Sequence, residues 1–266
     1  MATKAERLDS AWDRLDEGEY EAALEAAASL LAESPDHAEA LLLAGCVNLE
    51  LGQHVEGEQR LGRVLELEPD NATARLALAW ILYETCRFEE ALAEVDRVLG
   101  DDPDSPDAIY LKALLQDMRG RSGEADDCYR RAARLDPDAY TVPAAVEPAA
   151  FDAAVQEALE LLPPEFREKI GGLAIIVQDV PSASLLATLE EPAPDLLGLF
   201  TGTPLTERTH QDLPSVPEAV YLFKRNLERA CANRAELVEE IQVTLLHEIG
   251  HYLGMDEEDL EEAGYA

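Results

Sequence analysis

Toward the end of the chain the apolar positions Leu237, Ile241, Leu245 and Ile249 recur every four residues, the spacing of one buried stripe on an α-helix. Asn233-Arg234-Ala235-Glu236 has the form of an N-cap with Glu at N3, and Gly254 suits a left-handed stop, so the pattern predicts a helix over 234–253. Upstream, Phe151, Val155, Ala158, Leu159 and Leu162 carry a helical spacing that ends at Pro163-Pro164. The apolar run Leu173 to Val177, set between Gly171-Gly172 and Asp179-Val180-Pro181, predicts a buried strand. Leu196 to Leu205 predicts a second strand ending in a glycine-proline turn, and Ala219 to Phe223 a third.

The first half of the chain repeats itself. Pro35, Pro69, Pro103 and Pro137 lie 34 residues apart, each followed by aspartate. In the same register stand the small residues Ala11, Gly45, Ala79 and Ala113, and again Ala23, Gly57, Ala91 and Ala125, where two antiparallel helices can approach closely. A third register holds Gly18, Gly52, Cys86 and Gly120, at a turn that favours glycine because φ is often positive there. Two positions later come Tyr20, His54, Phe88 and Ser122, so an aromatic opens the second helix in units one and three only. His37 and His54 lie inside these units and read as packing or surface residues. With these registers, residues 4 to 137 resemble the tetratricopeptide repeat (TPR) family. The resemblance implies helical hairpins stacked into a superhelix whose concave face binds peptides or protein segments, and stacking is what buries the apolar face of each hairpin.

After Pro137 the pattern breaks into a segment with two prolines, Pro143 and Pro148. The expected division is a four-unit array over 1–137, a linker over 138–148 and a second, α+β domain over 149–266. The formal charge is −35, spread as −18 over residues 1–140 and −17 over the rest. Such a surface repels phosphates, which argues against nucleic acid, and suits a basic or apolar partner for the array. No apolar run reaches the roughly 18 residues of a membrane span and no signal-peptide core follows Met1, so a cytoplasmic protein with no membrane partner is expected. Cys46, Cys86, Cys128 and Cys231 are scattered and read as small buried residues.

His247-Glu248-Ile249-Gly250-His251 falls late in the predicted 234–253 helix. Residues at i and i+4 share a helix face, so His247 and His251 can place two imidazole nitrogens about 2 Å from one zinc ion. Glu248, one step round the helix, can take a proton from water as general base and pass it to a leaving amine. A catalytic zinc needs a third protein ligand. Glu257, reached after Gly254 turns the chain back, is the first candidate. Asp256 is the alternative, although Asp256 to Asp259 looks like the cap of a short final helix, and Glu261 comes third.

With HEIGH-YLGMDE in this setting, residues 151 to 260 resemble a family of small bacterial zincin-like metallopeptidases. The resemblance covers the helix ending at Leu162-Pro163, the strand Leu173 to Val177 with Asp179 and Pro181, the segment Leu196 to Leu205, and Pro217 to Phe223. It implies a compact α+β zincin core with one zinc ion per chain held by His247, His251 and the acidic residue at 257, with Glu248 as base. It also implies that Leu199, Phe200, Thr201, Gly202 and Thr203 form an edge strand along which an extended peptide can lie. An electrophile for the oxyanion is expected among Tyr252, Tyr221, Arg208 and His210. Two readings follow. One is a zinc peptidase acting on peptides or proteins that the array recruits. The other is an interaction scaffold whose zincin core binds zinc without proteolysis.

Overall fold

A computed structural model describes residues 3–204, 206 and 218–263. Helices α1 (Lys4–Asp16), α2 (Tyr20–Glu33), α3 (Ala38–Glu50), α4 (His54–Leu67), α5 (Ala72–Glu84), α6 (Phe88–Asp101), α7 (Pro106–Met118) and α8 (Ser122–Leu135) stack as successive antiparallel hairpins. The small-residue registers lie where these helices touch. Ala11, Ala79, Ala113, Ala23, Ala91 and Ala125 are fully buried. A Cβ on Gly45 would stand 2.7 Å from the Leu61 side chain, and one on Gly57 2.7 Å from Ile81, so both helix pairs depend on the missing side chain.

Each unit also starts with its own cap, one period apart. Thr3 accepts from Glu6 N, His37 from Ala40 N, Asn71 from Ala74 N and Ser105 from Ala108 N. His37 is therefore a helix cap, and His54 pairs with Glu84 at 2.7 Å, a more specific placement than packing or surface. The turn register is left-handed in all four units. Gly18, Gly52 and Gly120 have φ of 76°, 66° and 70°, and Cys86 holds φ 59° against the clash of its own Cβ.

The C-terminal part contains α9 (Pro148–Leu161), α10 (Pro164–Lys169), β1 (Ala174–Gln178), α11 (Ala183–Leu186), β2 (Gly198–Thr201), β3 (Ala219–Phe223), α12 (Lys224–Ala230), α13 (Arg234–Leu253) and α14 (Glu257–Ala263). The strand order is β1-β3-β2, with β1 parallel and β2 antiparallel to β3. The second strand is shorter than the apolar pattern suggests. It stops at Thr201, and Gly202 turns away with φ 134°, while Leu205 lies outside the described residues. Helix α13 packs between α9 and the sheet, and its stripe Leu237, Ile241, Leu245 and Ile249 has no exposed surface. Burial on this scale contributes about 1.5–3 kcal/mol for each such side chain.

The two parts are joined through α12. Arg225, 6 % exposed, donates from Nε to Asp117 at 2.9 Å and from Nη2 to Asp126 at 2.5 Å, both on the array, and lies 3.5 Å from Glu228. Tyr129 of α8 donates its hydroxyl to the second oxygen of Asp117. Glu228, fully buried, accepts from Lys224 and from the amide of Val146, while its carbonyl accepts from Ala144 N. The proline-containing segment before α9 is thus pinned along α12. Asn226 reaches the other way and donates to the carbonyls of Pro194 and Leu196, fixing the chain that leads into β2.

Two outcomes follow. Cys86→Gly relieves the left-handed strain and is expected to stabilise the array by about 1 kcal/mol. A melting temperature no higher than that of the parent would count against the strain. Arg225→Met leaves the Asp117 carboxylate buried without its cationic partner, and an unfolding experiment should lose about 3–5 kcal/mol. A loss under about 1 kcal/mol would show the network to be peripheral.

Candidate metal centre

Helix α13 begins where Asn233 Oδ1 accepts from the amides of Ala235 and Glu236. Glu236 turns its carboxylate to Ala232 N at 2.7 Å, one residue ahead of the amide a capping box would use. The helix ends at Gly254, whose φ of 87° is left-handed. Its last two turns carry His247 and His251 on one face, the rings 4.6 Å apart at 86° to each other. The two Nε2 atoms are 3.0 Å apart. His251 Nδ1 lies 3.2 Å from the carbonyl of Met255. A carbonyl only accepts, so Nδ1 is the donor in this contact and the Nε2 lone pair faces His247 Nε2 as an acceptor.

Beyond Gly254 the chain reverses. Asp256 and Asp259 cap α14 reciprocally, each carboxylate accepting from the other residue's amide. That use holds Asp256 out of the histidine cluster and leaves Glu257, the first residue of α14, directed at it. Glu257 Oε1 stands 3.3 Å from His251 Nε2 and 3.9 Å from His247 Nε2. Among the described residues, His247, His251 and Glu257 form a grouping whose donor atoms are close enough to hold a metal ion, and neither Asp256 nor Glu261 belongs to it. Gly250 makes the approach of α14 possible, because a Cβ there would run into Leu260, the buried anchor of that helix.

The donor set fits a zinc ion by size and by chemistry. Two imidazoles and one carboxylate are ordinary zinc ligands, bonded at about 2.0–2.2 Å. A triangle with sides of 3.0, 3.3 and 3.9 Å has a circumradius of about 2.0 Å. One point therefore lies at bonding distance from all three donor atoms without any side chain moving.

Glu248 points toward the sheet. Its carboxylate Oε2 accepts from the amide of Phe200 at 2.6 Å, and burial pushes its pKa up to about 7 against the opposing pull of that hydrogen bond and of His247. Gly198 makes room for this arrangement. A Cβ there would stand 2.5 Å from Thr244 Cγ2 and 3.0 Å from Glu248 Cγ.

Strand β2 lies at the sheet edge. Leu197 O accepts from Phe223 N, so alternate residues Leu199 and Thr201 turn their backbone groups to β3, and Phe200 turns its amide outward to Glu248. The ring of Phe200 packs edge-on against Tyr252 at 5.6 Å, on the α13 side. Leu199 and its partner Tyr221 point to the opposite face, where with Leu185, Leu189 and Thr188 they line a cleft of about 540 Å³ that continues along Gly202. Of the residues considered for the oxyanion, Tyr252 is buried beside Phe200, Tyr221 belongs to the far face, and Arg208 and His210 lie outside the described residues, as does Pro217. The Phe200 amide on Glu248 was not foreseen, since a backbone donor leaves no mark in a sequence.

Comparison with known proteins matches residues 170–265 to the zincin-like metallopeptidase family. Three tetratricopeptide repeat models match residues 8–59, 48–117 and 106–139. No curated protein matches the chain. Among solved structures, MamA from Desulfovibrio magneticus RS-1, residues 41 to the end, is 23% identical over 52% of this chain and 78% of its own, with a TM-score of 0.44. TTC0263, a thermophilic TPR protein in Thermus thermophilus, is 19% identical over 51% of this chain and 75% of its own, with a TM-score of 0.47.

The close approach at Gly198 has a direct test. Gly198→Ala forces β2 away from α13 and is expected to cost about 1–3 kcal/mol. Gly171→Ala, with nothing within 4 Å of the added Cβ, serves as the control and should leave the melting temperature nearly unchanged. Equal effects of the two substitutions would contradict the packing described here.

Proposed function

We propose that this chain, a tetratricopeptide array followed by a zincin-like metallopeptidase domain, is a zinc-dependent peptidase that hydrolyses peptide bonds in protein segments which the array recruits or orients. The observation that carries the reading is the triangle of His247 Nε2, His251 Nε2 and Glu257 Oε1, whose three corners lie about 2.0 Å from one point. His247, His251 and Glu257 would hold the ion. Bound there, zinc supplies Lewis acidity to water and to a peptide carbonyl.

The rest of the work falls to the chain. Glu248 sits one helical step from His247, where a carboxyl is placed both to accept a proton from water and to return one to the leaving amine. Leu199 to Thr203 offer an edge to an extended peptide, and the outward amide of Phe200 is the donor such a peptide would meet first. Glu248 holds that amide in the peptide-free chain, so peptide binding and release of the base for proton transfer are coupled. His251, oriented through Met255 O, keeps its Nε2 aimed inward.

The same contact favours a second reading. A carboxylate already satisfied by Phe200 N suits a core that binds zinc without turnover and serves an interaction scaffold. Among the described residues no helix is long and apolar enough to cross a membrane. The four free cysteines, of which Cys46 and Cys231 have their pKa pushed by burial to about 11, fit a reducing cytoplasm.

Purified protein is expected to hold about one zinc per chain by metal analysis. His251→Ala should lose it, and Glu257→Ala should weaken binding by about ten-fold or more. Asp256→Ala should keep the ion, since its carboxylate serves only the α14 cap. Glu248→Gln should keep zinc and lose cleavage in a screen of proteome-derived peptides. Zinc retained with no cleavage dependent on Glu248 selects the scaffold reading. Wild-type protein that cannot be loaded with zinc excludes both.

A further inference from the structure

A cavity of about 530 Å³ lies between helices α3, α5 and α7 of the array and the loop 192–195 of the C-terminal part. Its array wall carries the aromatic rings of Trp80, Tyr83 and Tyr110, with Trp80 and Tyr83 packed edge to face at 6.0 Å. Carboxylates stand on both sides of the opening, Glu50 and Glu84 from the array and Asp195 from the loop. Glu50 and Asp195 are exposed and Glu84 is half-buried. Arg229 also lines the cavity, with a guanidinium nitrogen bonded to Asn226 Oδ1 at 3.0 Å. Three carboxylates against one tethered guanidinium leave the opening acidic even before the −35 charge of the chain is counted.

The chemistry of these walls selects a cation with a flat or extended apolar stem. Aromatic faces attract cations through their ring quadrupoles, and carboxylates at the rim form charge-assisted hydrogen bonds. We propose that this cavity binds an arginine or lysine side chain of a partner protein segment, so that the recognition site belongs jointly to the array and to the peptidase domain. The array's other acidic contact with this domain supports the choice of charge. Asp117 and Asp126, farther along the same array, already bind a guanidinium, that of Arg225. The cavity repeats part of that chemistry: Arg229 already stands near Tyr83 and Tyr110, and His54 holds Glu84, while Glu50 and Asp195 leave negative charge for a second cation from outside.

Its position gives the site a use. Asp195 precedes β2 by three residues, and Asn226 ties the carbonyls of Pro194 and Leu196 to α12. A segment anchored by its basic side chain would thus press on the loop that leads into the edge strand. This extends the recruiting role proposed for the array and rests on it. Binding is therefore read without turnover, so that loss of the site and loss of catalysis are separate results.

The test uses the full chain carrying Glu248→Gln and a fluorescein-labelled octapeptide with one arginine in an alanine-serine background, followed by anisotropy at about 150 mM salt. Saturable one-to-one binding is expected. The citrulline counterpart, isosteric and uncharged, should bind about ten-fold more weakly, and so should the arginine peptide to the Glu50→Gln, Glu84→Gln protein. Removing the same charge outside the cavity, with Glu21→Gln and Glu56→Gln, should change affinity by less than about two-fold. Glutamine at 84 keeps an amide to hydrogen-bond His54, so circular dichroism and zinc content should match the parent in both pairs. Absence of saturable binding overturns the proposal. Equal affinity for the citrulline peptide, or equal weakening by the two pairs of substitutions, also overturns it and assigns the attraction to the general acidity of the surface.

Discussion

One helix must satisfy two incompatible surroundings, and the C-terminal part is arranged around that demand. Helix α13 buries Leu237, Ile241, Leu245 and Ile249 on one side while His247 and His251 stay partly exposed on another. Only a helix with fixed ends keeps both faces in phase over 20 residues, and Asn233 and Gly254 fix them. The stripe sets the depth of the helix against the sheet. That depth brings Glu248 to the edge strand and puts the histidines at the surface where Glu257 can reach them. At Gly198, Gly250 and Gly254 a single added carbon would break the arrangement, against α13, α14 and Thr206 in turn.

The second organising element is short. Helix α12 has seven residues, yet Arg225, Asn226 and Glu228 connect the array, the entry to β2 and the segment before α9. Paired buried charges contribute little net stability compared with apolar packing, but removing one partner is costly. Such a network enforces one mutual placement of the joined elements. The array thereby becomes part of the surroundings of the zincin-like domain. Within the chain, Arg225 is the cation that meets Asp117 and Asp126 of the array.

Much of this was legible from the residues. The 34-residue registers specified the helical hairpins because close approach and tight turns restrict residue choice severely at fixed positions. The α13 boundaries followed from cap chemistry and the four-residue apolar period, and β3 from a short β-branched and aromatic run. Other features left weaker traces. Cys86 sits left-handed because its unit imposes the turn, although cysteine by itself argues against it. The caps Thr3, His37, Asn71 and Ser105 share the same period and could have been found by extending the register one position further. Helix α12 was not predicted, because its seven residues carry no apolar period of their own and the burial of Arg225 depends on carboxylates about 100 residues earlier. For the site, helical geometry fixed the two histidines and Glu248. The order of Glu257 before Asp256 rested on the cap expected at Asp256 to Asp259, and that cap is present, with Asp256 Oδ1 accepting from Asp259 N.

The most direct measurement is a crystal structure of the zinc-loaded chain with anomalous data recorded on both sides of the zinc absorption edge. One peak at about 2.0–2.2 Å from His247 Nε2, His251 Nε2 and a Glu257 carboxylate oxygen is the expected result. A peak bound by Asp256 in place of Glu257, or no peak between the two histidines, would contradict it.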